Sequence, residues 1–288
     1  MNTRAGTVVP AEVVRLIKGE LPNLLRGGTP AAIGVQGGIV RGRMDQYSDI
    51  DLVFVFSSNA DVRDAIRGKH TDMSGTVWGL HHLRVANLAL ESWPDARRYV
   101  YGYETIPLDD PSGCLASIRD QVQLSQKELH LRTAYLLHKL ALREVIYPSQ
   151  LGVPWRGFKL DDADPWSRRG DYYSAHMRLN QAHDLLVSMI YTVNCRPRPS
   201  GKSVHSILHS LPWFPSDVKN ALAGLALVAT LDDAEYQRRK SCAHDILVAC
   251  VDRGANIGIV DDNVSERYYS SNGSHLDDAD ANHPGKPR

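Results

Sequence analysis

Apolar residues recur at helical spacing through AEVVRLIKGELPNLL (11–25), at Val13, Val14, Ile17, Leu21 and Leu24. That period predicts an amphipathic helix, and GGTP ends it. AAIGVQ (31–36) is a short apolar run closed by Gly37 and Gly38, the pattern of a buried strand entering a tight turn. DIDLVFVF (49–56) is β-branched and aromatic and predicts a strand. VRDAIRG (62–68) suits one or two helical turns, and TVWGLHHLRVANLALESW (76–93) one or two strands. ETIPLDD (104–110) predicts a last strand, which Pro107 restricts to a sheet edge.

The texture changes after DPSG (110–113). Residues 114–147 read as helical throughout, 148–166 as a loop rich in Pro, Gly and Asp, and 170–194 as a second long helix. CRPRPSGKS interrupts, and two more helices follow at 216–230 and 232–254. From Asp261 the chain is polar, with few apolar residues, and is expected to be disordered. The fold class expected from this order is α+β: a mixed β-sheet domain with flanking helices over 1–112, an all-α helical domain over 113–260, and a tail over 261–288.

Composition narrows the function classes. Hydrophobic residues make up 43 % and charged residues 23 %, ordinary for a globular chain. Lys plus Arg and Asp plus Glu both number 33, so zero net charge gives no general electrostatic reason for a nucleic-acid surface. No apolar run approaches the roughly 20 residues of a membrane span, and the N-terminus lacks a signal-peptide core. The four cysteines show no CxxC spacing and are expected as buried thiols in a reducing compartment. The expected location is the cytoplasm, where nucleoside triphosphates and Mg²⁺ are available.

The chemistry concentrates in GGIVRGRMDQYSDID (37–51). Asp49 and Asp51 are two apart on the expected strand and face the same way. Adjacent carboxylates repel unless a cation lies between them, and oxygen-only sites suit Mg²⁺ shared with substrate phosphates. Gly37 and Gly38 let the backbone approach a phosphate with its N–H groups directed at it. A cation site beside an anion site is what Mg²⁺·NTP needs. The ordinary alternative is a solvent-facing pair on an edge strand.

Gly37, Gly38, Gly42, Ser48, Asp49 and Asp51 resemble the G-[GS]-x-x-x-G-x-x-x-x-x-S-D-x-D signature of the DNA polymerase β-like nucleotidyltransferase superfamily, with the same twelve-residue step from Gly37 to Asp49. The second position is commonly Ser. With Gly38 there, the resemblance implies phosphate binding by backbone N–H, with Ser48 or Arg41 nearby. It also implies two Mg²⁺ ions on Asp49 and Asp51, completed by a third acid on a neighbouring strand that acts as metal ligand or general base. In LRVANLALESW, alternation puts Val85, Asn87, Ala89 and Glu91 on one face. Many relatives read RVD where this chain has RVAN, and Asn87 cannot ionise. Glu91 is the acid of that strand and is the expected third carboxylate, ahead of Asp72, Asp95 and Glu104.

The helical half is similar in layout to antibiotic nucleotidyltransferases of the aminoglycoside and lincosamide kinds. There a helical domain helps to bind acceptor and nucleotide, and subunits often share a site, which implies a homodimer. Lys202, after the break, is a candidate for the nucleotide phosphates. Tyr173, His176 and Asn180 share a helix face and suit either an acceptor cleft or a half-buried core stripe. KLDDADPW and TLDDAEY suit a cationic acceptor or solvated helix starts. His81-His82 and His205/His209 lack a third ligand. The expected activity is Mg²⁺-dependent transfer of a nucleotide monophosphate, AMP first, from an NTP to a hydroxyl of a small molecule such as an antibiotic or secondary metabolite, with release of pyrophosphate. The alternatives are a toxin/antitoxin-type enzyme acting on tRNA or protein, and a degenerate nucleotide-binding module.

Overall fold

The computed structural model describes residues 9, 11–25, 29–40, 50–67, 76–78, 81–90, 100–101, 104–143, 145, 165–199 and 204–264. They form two compact units, one of residues 1–122 with 199–207 and the other of residues 123–198 with 208–288.

The first unit is built on helix α1 (Ala11–Leu24), strands β1 (Ala32–Gln36) and β2 (Ile50–Phe56), helix α2 (Asn59–Arg67), strands β3 (Thr76–Trp78), β4 (His81–Ala89) and β5 (Ile106–Asp109), and helix α3 (Cys114–Gln121). The five strands lie in the order β3-β4-β2-β1-β5. β1 is antiparallel to β2 and β5, β2 is parallel to β4, and β3 is antiparallel to β4. The sheet is therefore mixed, and Pro107 lies on the edge strand β5, where its missing N–H costs least.

One sheet face carries Ile33, Val35, Ile50, Leu52, Phe54 and Phe56, packed with Val13 and Ile17 of α1. The α1 stripe is the one its period predicts, because the buried sheet face gives it a partner. α3 packs against β1 and β5. The Asp110 carboxylate starts α3 by accepting the N–H groups of Cys114 and Leu115 at 2.9 Å and of Ala116 at 3.1 Å. α2 begins three residues earlier than its apolar period suggests. Ser58 and Asp61 cap one another, each side chain accepting the other's backbone N–H at 3.1 Å.

The second unit contains α4 (Gln126–Ala141), α5 (Pro165–Arg169), α6 (Tyr172–Val193), α8 (Ser216–Ala226) and α9 (Asp233–Asn256), while α7 (Val204–Leu208) crosses the boundary between units. The helix expected to run unbroken from 114 is two helices. Ser125 and Glu128 form a capping box that starts α4 and leaves Val122 extended. α8 stops at Ala226, short of the expected 230, because Arg238 donates to the carbonyls of Gly224 and Leu227, both at 3.1 Å. α9 packs on α6 and α8. All four cysteines are unpaired thiols. No helix among the described residues is long and apolar enough to cross a membrane.

Candidate functional site

Antiparallel pairing brings the C-terminal end of β1 beside the N-terminal end of β2, with Gln36 opposite Asp51. The chain leaves β1 through Gly37, whose φ of +83° only glycine adopts freely. A Cβ at Gly37 would lie 2.5 Å from Asp51 Oδ2, so the half-buried Asp51 carboxylate is seated against the backbone of the glycine turn. Ile39 and Val40, directly after Gly38, are buried in the α1-side core and pin the turn. Ile50 is fully buried on that same side, which sends Asp51 to the other face of β2.

A third strand joins this sheet end. Gln36 is 2 % exposed, and its Nε2 donates to Thr105 Oγ1 at 2.6 Å. Asp51, Gln36 and Thr105 thus form a row across β2, β1 and the start of β5. Glu104, next to Thr105, accepts a hydrogen bond from Ser206 Oγ at 2.6 Å. Nothing in the composition of 104–110 points to this row. It depends on strand order, which hydrophobic pattern does not encode.

Of the residues expected at the site, Gly37, Gly38 and Asp51 come together. Asp49, Arg41, Ser48, Glu91 and Lys202 lie outside the described residues. β4 changes the reading of Asn87. β4 is parallel to β2, with Arg84 opposite Asp51, Ala86 opposite Val53 and Asn87 opposite Phe54. Phe54 belongs to the α1-side core, so Asn87 stands on the face away from Asp51. Its Oδ1 is buried without a hydrogen-bond partner. The β4 positions paired with Asp51 and Val53 are Arg84 and Ala86, neither an acid. Ala89, the last residue of β4, is level with Phe56, five residues along β2 from Asp51 or roughly 17 Å at strand rise.

In the second unit, His176 and Asn180 of α6 hold Arg239 of α9. Arg239 is fully buried, and it donates to His176 Nδ1 at 2.7 Å, Asn180 Oδ1 at 2.6 Å and the Leu225 carbonyl at 2.8 Å. Tyr173, one turn away, is 68 % exposed. His176 is therefore part of the core, Asn180 bonds Arg239 from an exposed position on the helix, and Tyr173 faces outward. Beside them a cleft of about 340 Å³ is lined by Arg143, Met177, Asn180, Gln181, Asp184 and Leu185. Asp184 is ion-paired with Arg198, which holds its carboxyl below the usual range.

Asp51 beside a glycine turn fits one edge of a divalent-cation and phosphate site, since it sets a carboxylate against the backbone of a residue that carries no side chain of its own. No group of three His, Cys, Asp or Glu among the described residues is arranged to hold a metal ion, and Asp49 is not among them. No curated protein matches the chain. Residues 14–98, from within α1 to just beyond β4 and including the paired glycines and Asp51, match the family model of the nucleotidyltransferase domain.

Proposed function

We propose that the chain transfers a nucleotide monophosphate, AMP first, from an NTP to a hydroxyl of a small acceptor such as an antibiotic or secondary metabolite, with release of pyrophosphate. The observation that carries this reading is the Asp51 carboxylate against Gly37 at the end of β1. A carboxylate and a glycine turn meet in a single place, and a metal-bound triphosphate needs both. Asp49 and Asp51 would hold Mg²⁺. When bound, Mg²⁺ supplies charge neutralisation to the triphosphate and the leaving pyrophosphate. The turn at Gly37 and Gly38 offers backbone N–H to phosphate oxygens, with Arg41, Ser48 and Lys202 as further phosphate ligands. Glu91 is the sequence-based candidate for general base. Acceptor recognition is assigned to the helical unit, in keeping with the layout of antibiotic nucleotidyltransferases. Catalysis rests on positioning and charge stabilisation.

The test is direct. Purified protein, Mg²⁺ and each NTP in turn are mixed with a metabolite extract or with tRNA, and products are read by mass spectrometry. A small molecule heavier by one nucleotide monophosphate supports the reading. Modified tRNA moves the activity to a macromolecular acceptor, and no product with Asp51 intact overturns transfer.

A second reading, nucleotide binding without transfer, is favoured by one observation: the β4 partners of Asp51 and Val53 are Arg84 and Ala86 rather than an acid. Pyrophosphate release with any acceptor removes it.

A further inference from the structure

We infer that the cleft of the helical unit binds the acceptor as a hydroxylated organic acid, held at its carboxylate by Arg143, an inference that rests on the function proposed above. The cleft lies where Arg143, just past the end of α4, meets Met177, Asn180, Gln181, Asp184 and Leu185 of α6. Its volume of about 340 Å³ suits a small molecule. Its chemistry is set by which polar atoms are already spent. Asn180 Oδ1 accepts from Arg239 at 2.6 Å and Gln181 Oε1 from Arg178 at 3.4 Å. Arginine only donates, so these bonds turn both amide oxygens towards the arginines and leave both NH₂ groups to donate elsewhere. Both carboxylate oxygens of Asp184 accept from Arg198, whose charge matches its own.

Arg143 differs from these arginines. Its Nε is buried without a hydrogen-bond partner, and its guanidinium makes no ion pair among the described residues. A buried donor on a cation is costly to leave unanswered, and a planar guanidinium suits a carboxylate held through two parallel bonds. The cleft therefore presents one uncommitted cation and two amide donors. Met177, 45 % exposed, and the half-buried Leu185 add apolar surface for the body of the ligand. The acid-rich stretch TLDDAEY, by contrast, is spent on the fold. Asp232 caps α9 by accepting the Glu235 N–H at 2.9 Å, Asp233 accepts from Ser167 at 2.6 Å, and Glu235 pairs with Arg238 at 2.7 Å. That stretch offers a cationic acceptor no uncommitted carboxylate, whereas Arg143 offers an anionic one its charge.

In the transfer, the hydroxyl oxygen of the acid bonds to the α-phosphorus and its proton passes to solvent. The bond from that phosphorus to the bridging oxygen breaks, and its electron pair leaves with pyrophosphate. The carboxylate takes no part in the exchange and stays on Arg143.

Binding is tested with the full chain and without NTP. 3-Phenyllactate and 4-hydroxybenzoate, each beside its primary amide, and inorganic phosphate are titrated while the side-chain amide signals of Asn180 and Gln181 are followed by NMR. Both acids are expected to move these signals and to bind about tenfold or more tightly than their amides. Arg143→Met is expected to lose about tenfold for the acids, with Arg143→Lys, which keeps the charge but not the fork, in between. The comparison of acid with amide needs no variant, so it stands even where Arg143→Met fails to fold. Acids that leave the signals unmoved, acids and amides that bind alike, or a folded Arg143→Met that binds acids as wild type does overturn the inference. So does phosphate binding more tightly than either acid, which gives the cleft to a phosphate.

Transfer is read separately, with Mg²⁺, NTP and an extract split on an anion exchanger. The nucleotidylated product is expected from the retained, anionic fraction. A product from the unretained fraction alone overturns the acid as acceptor and leaves transfer standing. No product from either fraction, with a protein that binds the acids, overturns the function proposed above and the acceptor role with it.

Discussion

Arg239 donates a 2.7 Å hydrogen bond to Nδ1 of His176, deep between α6 and α9. Arginine can only donate, so Nδ1 accepts, the ring proton lies on Nε2 and the imidazole is neutral. Burial holds the His176 pKa below its ordinary value, and the Arg239 charge pushes the same way, while Glu235 and Asp232 oppose it. Unfolding releases a histidine of ordinary pKa near 6.5, so the unfolded chain binds more protons below that pH. Stability of the helical unit is therefore expected to be level above about pH 6.5 and to fall as pH drops below it. Urea midpoints at pH 7.5 and 5.5 check this. His176→Gln, whose amide oxygen still accepts from Arg239, is expected to lose less between the two.

Glu235 adds a second, more acidic limb. Arg238 donates to both its oxygens, at 2.8 and 2.7 Å, and the Ala229 N–H donates at 3.1 Å. The Arg238 bonds first, then the Ala229 amide, bring its pKa down to about 2. A depressed carboxylate stabilises the fold above its unfolded pKa, and that contribution is lost as pH falls from about 4.5 towards 2. Glu235→Gln is expected to remove that limb, leaving the pH 3 and pH 5 stabilities closer together than in wild type.

Gly37→Ala places a methyl group 2.5 Å from Asp51 Oδ2 on backbone at φ +83°. The left-handed backbone alone costs about 1–2 kcal/mol. Stability falls by that amount or more, read by chemical denaturation. NTP-dependent turnover falls further than the loss of folded protein explains, because Asp51 must move.

Gly34→Ala tests the face on which α3 packs. Its Cβ would stand 2.3 Å from Thr105 Cγ2, 3.0 Å from Val53 Cγ1 and 3.1 Å from Leu115 Cδ1. Overpacking of this kind costs about 1–3 kcal/mol. The lowered denaturation midpoint is expected together with lost protection of the Thr105 amide in hydrogen exchange, since Thr105 has to give way.

Much of the fold was legible because burial enforces a period. The α1 stripe, the β2 run and α6 each face a partner along their whole length, so their apolar residues repeat at the spacing the structure uses. Errors fell where a side chain overrides the period. Ser125 splits one apparent helix into two, Ser58 extends α2, and Arg238 stops α8. The face on which Asn87 stands is hidden for a different reason. Alternation along β4 says which residues share a face, but only the pairing with β2 says which face holds Asp51.

That a carboxylate strand follows a glycine turn is readable from residues 37–51 alone, because they are neighbours along the chain and their chemistry is local. Tertiary structure alone decided which strands flank that place: β4 brings Arg84 and Ala86, while the start of β5 brings Thr105 and Glu104. It also decided that Arg239 meets His176, 63 residues away in sequence. Strand order and helix pairing are set by the sum of many weak apolar contacts across the whole unit, and no single stretch of sequence contains that sum.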